Sequence, residues 1–197
     1  RDLGRPLIKV GGICGHTAQA VREAEFLARA GYHVGLLSLG AMKEDSVERL
    51  IAHVEAVSDH IAVMGFYLQP AVGGRVLPYA FWRRMAAIEN VVAIKMAPFN
   101  RYQTLELIRG VAQSGRAGEV ALYTGNDDNI LVDLLTPWCV DGVALRIVGG
   151  LLGHWAFWTY RAVEQLRVCR ELAVTGAPVV QVNTDAFERD LSRQLTE

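Results

Sequence analysis

The chain has 197 residues, of which 51% are hydrophobic and 21% charged, with a formal net charge of −1. This length and composition suit one domain with a substantial core. The lack of a basic excess argues against a nucleic-acid or anionic-membrane surface as partner. Cys14, Cys139 and Cys169 are widely spaced, without a Cys-x-x-Cys pair. We therefore predict no disulfide framework and no zinc site, and a reducing, cytoplasmic compartment.

Six short apolar runs alternate with helical patterns along the chain. The predicted strands cover residues 7–10, 34–37, 61–67, 91–95, 120–123 and 140–147. The predicted helices begin near Thr17, Val47, Pro78, Thr104 and Asn129, and two more are expected over about 152–174 and 183–195. The stretch 140–160 is the most apolar, but it contains Asp141, Arg146 and His154, so we expect a buried strand and a helix rather than a membrane span.

The strand ends recur at intervals of 21–30 residues, near Gly12, Ser38, Tyr67, Lys95, Gly125 and Arg146. A strand-helix unit of this period indicates parallel strands with helical crossovers. Two architectures compete: a doubly wound open sheet and a (β/α)8 barrel, for which only six of eight units are visible. We place the strand-helix units in residues 1–150 as one domain, followed by a helical segment over 151–197.

Lys95 is the most unusual of these strand-end residues. It follows four apolar residues in "VVAIK" and precedes "MAPF". A lysine at a strand end can extend its amine to water along the surface. A buried lysine instead has a lowered pKa, and a neutral amine attacks carbonyl groups to form a Schiff base. We favour the nucleophile.

The other strand ends offer supporting groups with alternative interpretations. Tyr67 in "GFYLQP" is either a core aromatic or, beside the lysine strand, a proton donor. Arg146 in "VALRIVGG" could bind a substrate carboxylate or pair with a buried acid. In "TGNDDN", Asp127 and Asp128 could hold Mg²⁺, but a helix N-cap is favoured. His16 and His154 have no partners at helical spacing, so we predict no metal site.

The first glycines belong to "VGGICG", residues 10–15. This stretch lacks both a phosphate-binding lysine and the Gly-x-Gly-x-x-Gly spacing of dinucleotide sites. We interpret it as a tight turn in which Gly11 and Gly12 let the backbone approach a ligand closely.

Taken in order, "VGGICG", "YLQP", "AIK" and "GNDD" resemble the dihydrodipicolinate synthase / N-acetylneuraminate lyase family. The resemblance covers residues 7–147 and implies a (β/α)8 barrel with extra carboxyl-terminal helices, usually a homotetramer without a cofactor. It also implies a lyase, an aldolase or dehydratase, acting on a 2-oxo acid such as pyruvate. Lys95 would form the Schiff base and Tyr67 would relay protons. Gly11, Gly12, Ser38, Gly125, Asn126 and Arg146 would line the substrate pocket.

Several features depart from the family pattern. The family's first two barrel strands, with the loop that holds the substrate carboxylate, have no counterpart here, so we expect an upstream segment. Leu68-Gln69 replaces the usual Asn-x, and Val72 stands where the synthases have an arginine, with Arg75 nearby. These changes argue against lysine biosynthesis. They also keep open a non-catalytic family member that binds a small acid, and a doubly wound nucleotide-binding domain. The aromatic cluster Trp155, Phe157, Trp158 and Tyr160 could lie in the core or at a subunit interface, and we expect most of it in the core.

Overall fold

The computed structural model of the protein describes residues 7–151, 153, 157 and 159–175. A six-stranded parallel sheet forms its centre, with strands β1 (Val10–Ile13), β2 (Val34–Leu37), β3 (Ala62–Leu68), β4 (Val91–Ala97), β5 (Ala121–Thr124) and β8 (Ile147–Gly150). A two-stranded hairpin, β6 (Trp138–Val140) and β7 (Val143–Leu145), interrupts the series before β8.

Within the described residues, six α-helices follow the strands: α1 (Thr17–Arg29), α2 (Val47–Ser58), α3 (Tyr79–Ala87), α4 (Arg101–Ala112), α5 (Ile130–Leu135) and α6 (Thr159–Thr175). Two of them begin at clear N-caps. The Ser46 hydroxyl accepts from the Arg49 amide at 3.4 Å, and the Asn100 carboxamide accepts from the amides of Tyr102 and Gln103. These bonds satisfy amides that the first turn of a helix leaves unpaired.

The order of the strands decides between the two predicted architectures. Neighbouring strands in the sheet follow one another in the chain, in the order β1-β2-β3-β4-β5-β8, and every pairing is parallel. A doubly wound sheet would instead reverse its strand order at a switch point. The sequential order is that of a (β/α)8 barrel, of which the described residues form six strand-helix units. The barrel prediction is confirmed, and the doubly wound alternative is wrong.

The two faces of the sheet differ in what covers them. On the outer face, a Cβ added to Gly11 would meet Leu27 of α1, and one added to Gly65 would meet Met85 of α3. Since residues alternate along a strand, the register places Leu36, Phe66 and Lys95 on the opposite, inner face. The outer face is fully buried under the helices, whereas these inner-face residues are half-buried.

Aromatic packing fills the layer between the outer face and the helices. The Trp82 ring of α3 lies 4.9 Å from Tyr67 and 5.0 Å from Phe81, centroid to centroid, and all three residues are completely buried. Tilted and edge-on pairs at such distances add to the free energy of burial. This cluster fixes α3 over β3 and so determines which side of β3 faces inward.

The predicted strand over 140–147 is wrong. Residues Trp138–Val140 and Val143–Leu145 pair antiparallel around a turn in which Asp141 and Gly142 both have positive φ, 49° and 81°. Two such residues suit the tight turn of a two-residue hairpin. The sixth strand of the sheet is β8, which starts at Ile147 where the predicted strand was to end.

The carboxyl-terminal helix α6 corresponds to the predicted helix over 152–174, while the one predicted over 183–195 lies outside the described residues. Phe157 and Tyr160 are 83% and 72% exposed, so the core expectation fails for these two members of the aromatic cluster. Trp155 and Trp158 lie outside the described residues. Among the described helices, none is both long and apolar enough to cross a membrane.

Candidate functional site

Lys95 lies near the carboxyl end of β4, on the inner face of the sheet. In the strand register it is flanked by Phe66 of β3 on one side and Tyr123 of β5 on the other. Its Nζ atom lies 4.5 Å from the centroid of the Phe66 ring. In barrels of this type, active sites occupy this end of the strands. The structure therefore places Lys95 where the sequence predicted it.

Burial lowers the pKa of the Lys95 amine below its ordinary value, because the half-buried position disfavours the charged form. The Asp127 carboxylate, in the loop after β5, opposes this shift by favouring the ammonium. The face of the Phe66 ring also attracts a cation. Burial is the larger effect on the pKa, so a greater share of the amine is neutral than for an ordinary lysine.

Gly125 closes one side of the lysine. A Cβ at this position would lie 3.0 Å from Lys95 Cε, 3.1 Å from Ala97 Cβ and 3.3 Å from the Leu151 carbonyl oxygen. Its amide donates to the Met96 carbonyl at 2.6 Å, which fixes the loop against β4. Gly125 thus holds the backbone within van der Waals range of the lysine side chain, and its lining of a substrate pocket stays a prediction.

Replacing Gly125 by alanine should displace the Lys95 side chain. The new methyl group is too close to Lys95 Cε and Ala97 Cβ to fit without movement, and such overpacking costs about 1–3 kcal/mol. We expect the reaction of Lys95 with carbonyl probes to slow about tenfold while the fold is retained. Gly118→Ala is the control, because a Cβ there meets nothing within 4 Å. Equal rates in both variants would contradict the contact.

The structure does not bring Tyr67 to Lys95. Tyr67 pairs in register with Met96, one residue beyond Lys95, and so lies on the outer face. Its hydroxyl accepts from the Leu77 amide at 3.3 Å, and burial raises the pKa of the phenol. Phe66 takes the inner position beside the lysine. A proton relay through Tyr67 therefore has no geometric support, because a shift of one residue along a strand exchanges the two faces.

The sequence predicted a tight turn at Gly11 and Gly12. That prediction is wrong, because both glycines lie inside β1. Gly11 faces outward, where a Cβ would collide with Leu27 Cδ2 at 2.4 Å. Gly12 faces inward, with nothing within 4 Å of an added Cβ. Ser38 follows β2 directly, is half-buried, and its hydroxyl accepts from the Gly40 amide at 3.3 Å. Gly12 and Ser38 can therefore line an inner-face site, and Gly11 cannot.

Asn126 is 1% exposed and belongs to a buried polar network rather than to a pocket wall. Its Oδ1 accepts from the Phe99 amide at 3.0 Å, and its Nδ2 donates to Asp133 Oδ2 at 3.1 Å. Asp133 is completely buried, accepts from the Thr124 hydroxyl at 2.6 Å and forms an ion pair with Arg101. This network, which the sequence did not suggest, joins the loops after β4 and β5. Because Thr124 and Asn126 flank Gly125, we expect the network to hold Gly125 beside Lys95.

Both candidate arginines donate to backbone carbonyls outside β4 and β5. Arg146 precedes β8 and thus lies at the amino end of that strand, is exposed, and donates to the Ala173 carbonyl at 3.4 Å. Arg146 was predicted at a carboxyl end because the residues of the hairpin were predicted as the sixth strand. Arg75 donates to the carbonyls of Met42 at 2.7 Å and Asp45 at 2.9 Å, so it braces the loop after β2.

The two aspartates of "TGNDDN" do not act as N-caps. Asp127 and Asp128 lie within a short 3₁₀ helix, Asp127–Asn129, and both are exposed. Asn129 occupies the N-cap position of α5 without a side-chain bond. No group of three or more His, Cys, Asp or Glu in the described part of the chain is arranged to hold a metal ion.

No family model matches the sequence, and no curated protein matches it. Solved structures do match. The dihydrodipicolinate synthase of Bacteroides thetaiotaomicron aligns with a TM-score of 0.68 at 11% identity, over 97% of this chain and 59% of that chain. The synthase of Thermotoga maritima aligns with a TM-score of 0.59 at 18% identity, over 93% of this chain and 61% of that chain. The synthase of Oceanobacillus iheyensis aligns with a TM-score of 0.62 at 14% identity, over 83% of this chain and 50% of that chain.

The fold is that of the dihydrodipicolinate synthases. The resemblance read from the ordered motifs is thereby confirmed at the level of the fold. The chain spans 50–61% of the length of these synthases. Identities of 11–18% carry the architecture and not the reaction.

Proposed function

We propose that the protein is a lyase of the dihydrodipicolinate synthase family that acts on a 2-oxo acid through a Schiff base at Lys95. The observation that carries the proposal is the position of Lys95: half-buried on the inner face, with a lowered pKa, at the end of the strands where barrel enzymes hold their reacting groups. The family membership rests on the shared fold together with the order of the sequence motifs.

The chemistry follows from the neutral amine. Nζ attacks the keto carbon, a C–N bond forms, and the carbonyl oxygen takes up a proton to give a carbinolamine. A proton from solvent lets that hydroxyl leave as water and an iminium remains. The iminium accepts the electron pair released when a neighbouring C–C bond breaks or a carbon acid loses its proton. The same intermediate serves an aldolase or a dehydratase. Pyruvate is the simplest 2-oxo acid of this class.

Trapping of the imine tests the proposal. The protein is incubated with pyruvate, and separately with longer 2-oxo acids, then reduced with borohydride and analysed by intact mass and peptide mapping. The chain has three lysines, Lys9, Lys43 and Lys95, and the first two are exposed. We expect a reduced adduct on Lys95 that persists in Lys43→Met and is lost in Lys95→Met. Absence of an adduct with every 2-oxo acid, or labelling confined to Lys9 and Lys43, would refute the lyase.

A second function, binding of a small carboxylic acid without catalysis, is favoured by one observation. The ring beside the amine belongs to Phe66, which has no hydroxyl, and its face stabilises the ammonium at 4.5 Å. A charged Lys95 would then pair with a carboxylate instead of attacking a carbonyl. Pyruvate and propionate would bind equally well in this case, and borohydride would trap neither.

The assembly and compartment of the protein are also proposals. We propose a homo-oligomer, a dimer or tetramer, because Phe157 and Tyr160 at the carboxyl-terminal helix are largely exposed. We place it in the cytoplasm because Cys14, Cys139 and Cys169 are all free.

A further inference from the structure

We infer that Tyr123 is the residue that supplies the proton to the substrate's carbonyl oxygen when Lys95 forms its Schiff base. The inference rests on the proposed function and assigns a catalytic residue to it. No sequence motif indicated a role for Tyr123. The register between β4 and β5 places it beside Lys95.

The register pairs Tyr123 of β5 directly with Lys95 of β4. In-register residues of adjacent parallel strands point to the same face, and their backbones lie about 4.8 Å apart. Tyr123 is half-buried, so its hydroxyl can reach a ligand on the inner face. On the opposite side of Lys95 the equivalent position holds Phe66, which carries no proton to give.

The Tyr123 ring has a defined place. Gly149 of β8 is its register partner on the far side, and a Cβ on Gly149 would lie 2.9 Å from Tyr123 Cε1. The glycine therefore leaves room for the ring on the inner face. Within the described residues the Tyr123 hydroxyl makes no hydrogen bond, in contrast to the Tyr67 hydroxyl, which accepts from the Leu77 amide. It is thus available to a ligand.

The proton balance of the step is complete. The Tyr123 O–H donates to the carbonyl oxygen as Nζ attacks the carbon, which gives a carbinolamine, and the ammonium nitrogen returns a proton to the phenolate. Tyr123 then protonates the departing hydroxyl, which leaves as water, and the iminium remains on Lys95. The phenolate is restored by a proton from solvent. No oxidant, reductant or further reactant is needed.

The test compares the rate at which the adduct forms. Wild type, Tyr123→Phe and Tyr67→Phe are mixed with pyruvate, quenched with borohydride at a series of times, and the adduct on Lys95 is measured by mass. We expect Tyr123→Phe to slow formation about 100-fold, as for loss of a general acid, with the same amount of adduct at saturation. Tyr67→Phe should form the adduct at the wild-type rate.

A second variant separates proton donation from packing. Adding Phe66→Tyr to Tyr123→Phe places a hydroxyl on the other side of Lys95, and we expect it to recover much of the lost rate. A wild-type rate in Tyr123→Phe, or a slow rate in Tyr67→Phe alone, would overturn the inference and leave the lyase intact. No adduct in the wild type would overturn the proposed function and the inference with it.

Discussion

Replacing Asp133 by alanine is expected to lower the free energy of unfolding by about 2–4 kcal/mol, because the Thr124 hydroxyl and the Asn126 amide lose a buried acceptor, at about 1–3 kcal/mol for each group. Asp133 is completely buried, whereas the Arg101 side chain is 37% exposed. The arginine can therefore turn to solvent when its partner is lost. The larger part of the cost is the Thr124 hydroxyl and the Asn126 amide, which are left without their buried acceptor.

Urea unfolding of Asp133→Ala against Asp128→Ala measures this effect. Asp128 lies in the same connection after β5 but is exposed, so its removal should change stability by less than about 0.5 kcal/mol. Asp133→Asn separates the contribution of side-chain shape from that of the charge. The asparagine keeps one carbonyl oxygen that can accept a hydrogen bond, but it cannot form the ion pair with Arg101. A loss below about 1 kcal/mol in Asp133→Ala would show that the network contributes little.

The network also links stability to the site. It joins the connection after β4, where Phe99 has a positive φ of 57°, to the connection after β5, which carries Gly125 and Asp127. Both flank Lys95. Any loosening through Asp133→Asn should therefore slow the reaction of Lys95 with carbonyl probes even under conditions where the variant is fully folded.

Strand positions were predictable because both faces of a parallel strand are largely apolar. Val34–Leu37 was predicted with its observed bounds, and the strand containing Lys95 within two residues. The hairpin at Asp141-Gly142 was missed although its Asp-Gly turn is a strong signal, because the apolar residues on both sides suggested one continuous strand. That single error moved Arg146 from the amino end of a strand to the carboxyl end.

The site was only partly predictable, for a related reason. Position along a strand predicted that Lys95 lies near a carboxyl end. The face of each residue depends on register, however, and Phe66 and Tyr67 are both aromatic neighbours at a strand end. The sequence offered no means of choosing between them. Packing against Trp82 did so, by drawing Tyr67 to the helices. The Asn126–Thr104 contact joins residues 22 positions apart and the Arg101–Asp133 ion pair residues 32 positions apart, so no local pattern reveals the network.

Adduct formation at Lys95 is expected to rise with pH and to level off below pH 10.4, the ordinary lysine pKa. Burial lowers the pKa of this amine, and only its neutral form attacks a carbonyl. Below the lowered pKa of Lys95, each unit by which the pH falls reduces the neutral fraction of the amine, and hence the rate, about tenfold. Rates of trapping with pyruvate across pH 5–10 give the profile. A rate still rising steeply at pH 10 would show an unperturbed lysine.

Asp127→Asn should move this profile to lower pH. The carboxylate favours the ammonium, so its removal lowers the pKa of Lys95 further and increases the neutral fraction at a given pH. Asp127 is exposed, so we expect the shift to be small and to be reduced by high salt. Asp128→Asn is the matched control, because Asp128 does not contribute to the pKa of Lys95.

The same pKa has a consequence for stability that needs no substrate. The folded state binds fewer protons than the unfolded state between the lowered pKa of Lys95 and about 10.4, so the contribution of Lys95 to stability rises with pH in this window. Below the lowered pKa the buried ammonium destabilises the fold. Lys95→Met should therefore stabilise the protein at neutral pH, by about 0.5–2 kcal/mol, and by less as pH approaches 10. Such stabilisation would support the proposal that the chain retains Lys95 for its chemistry and not for its fold.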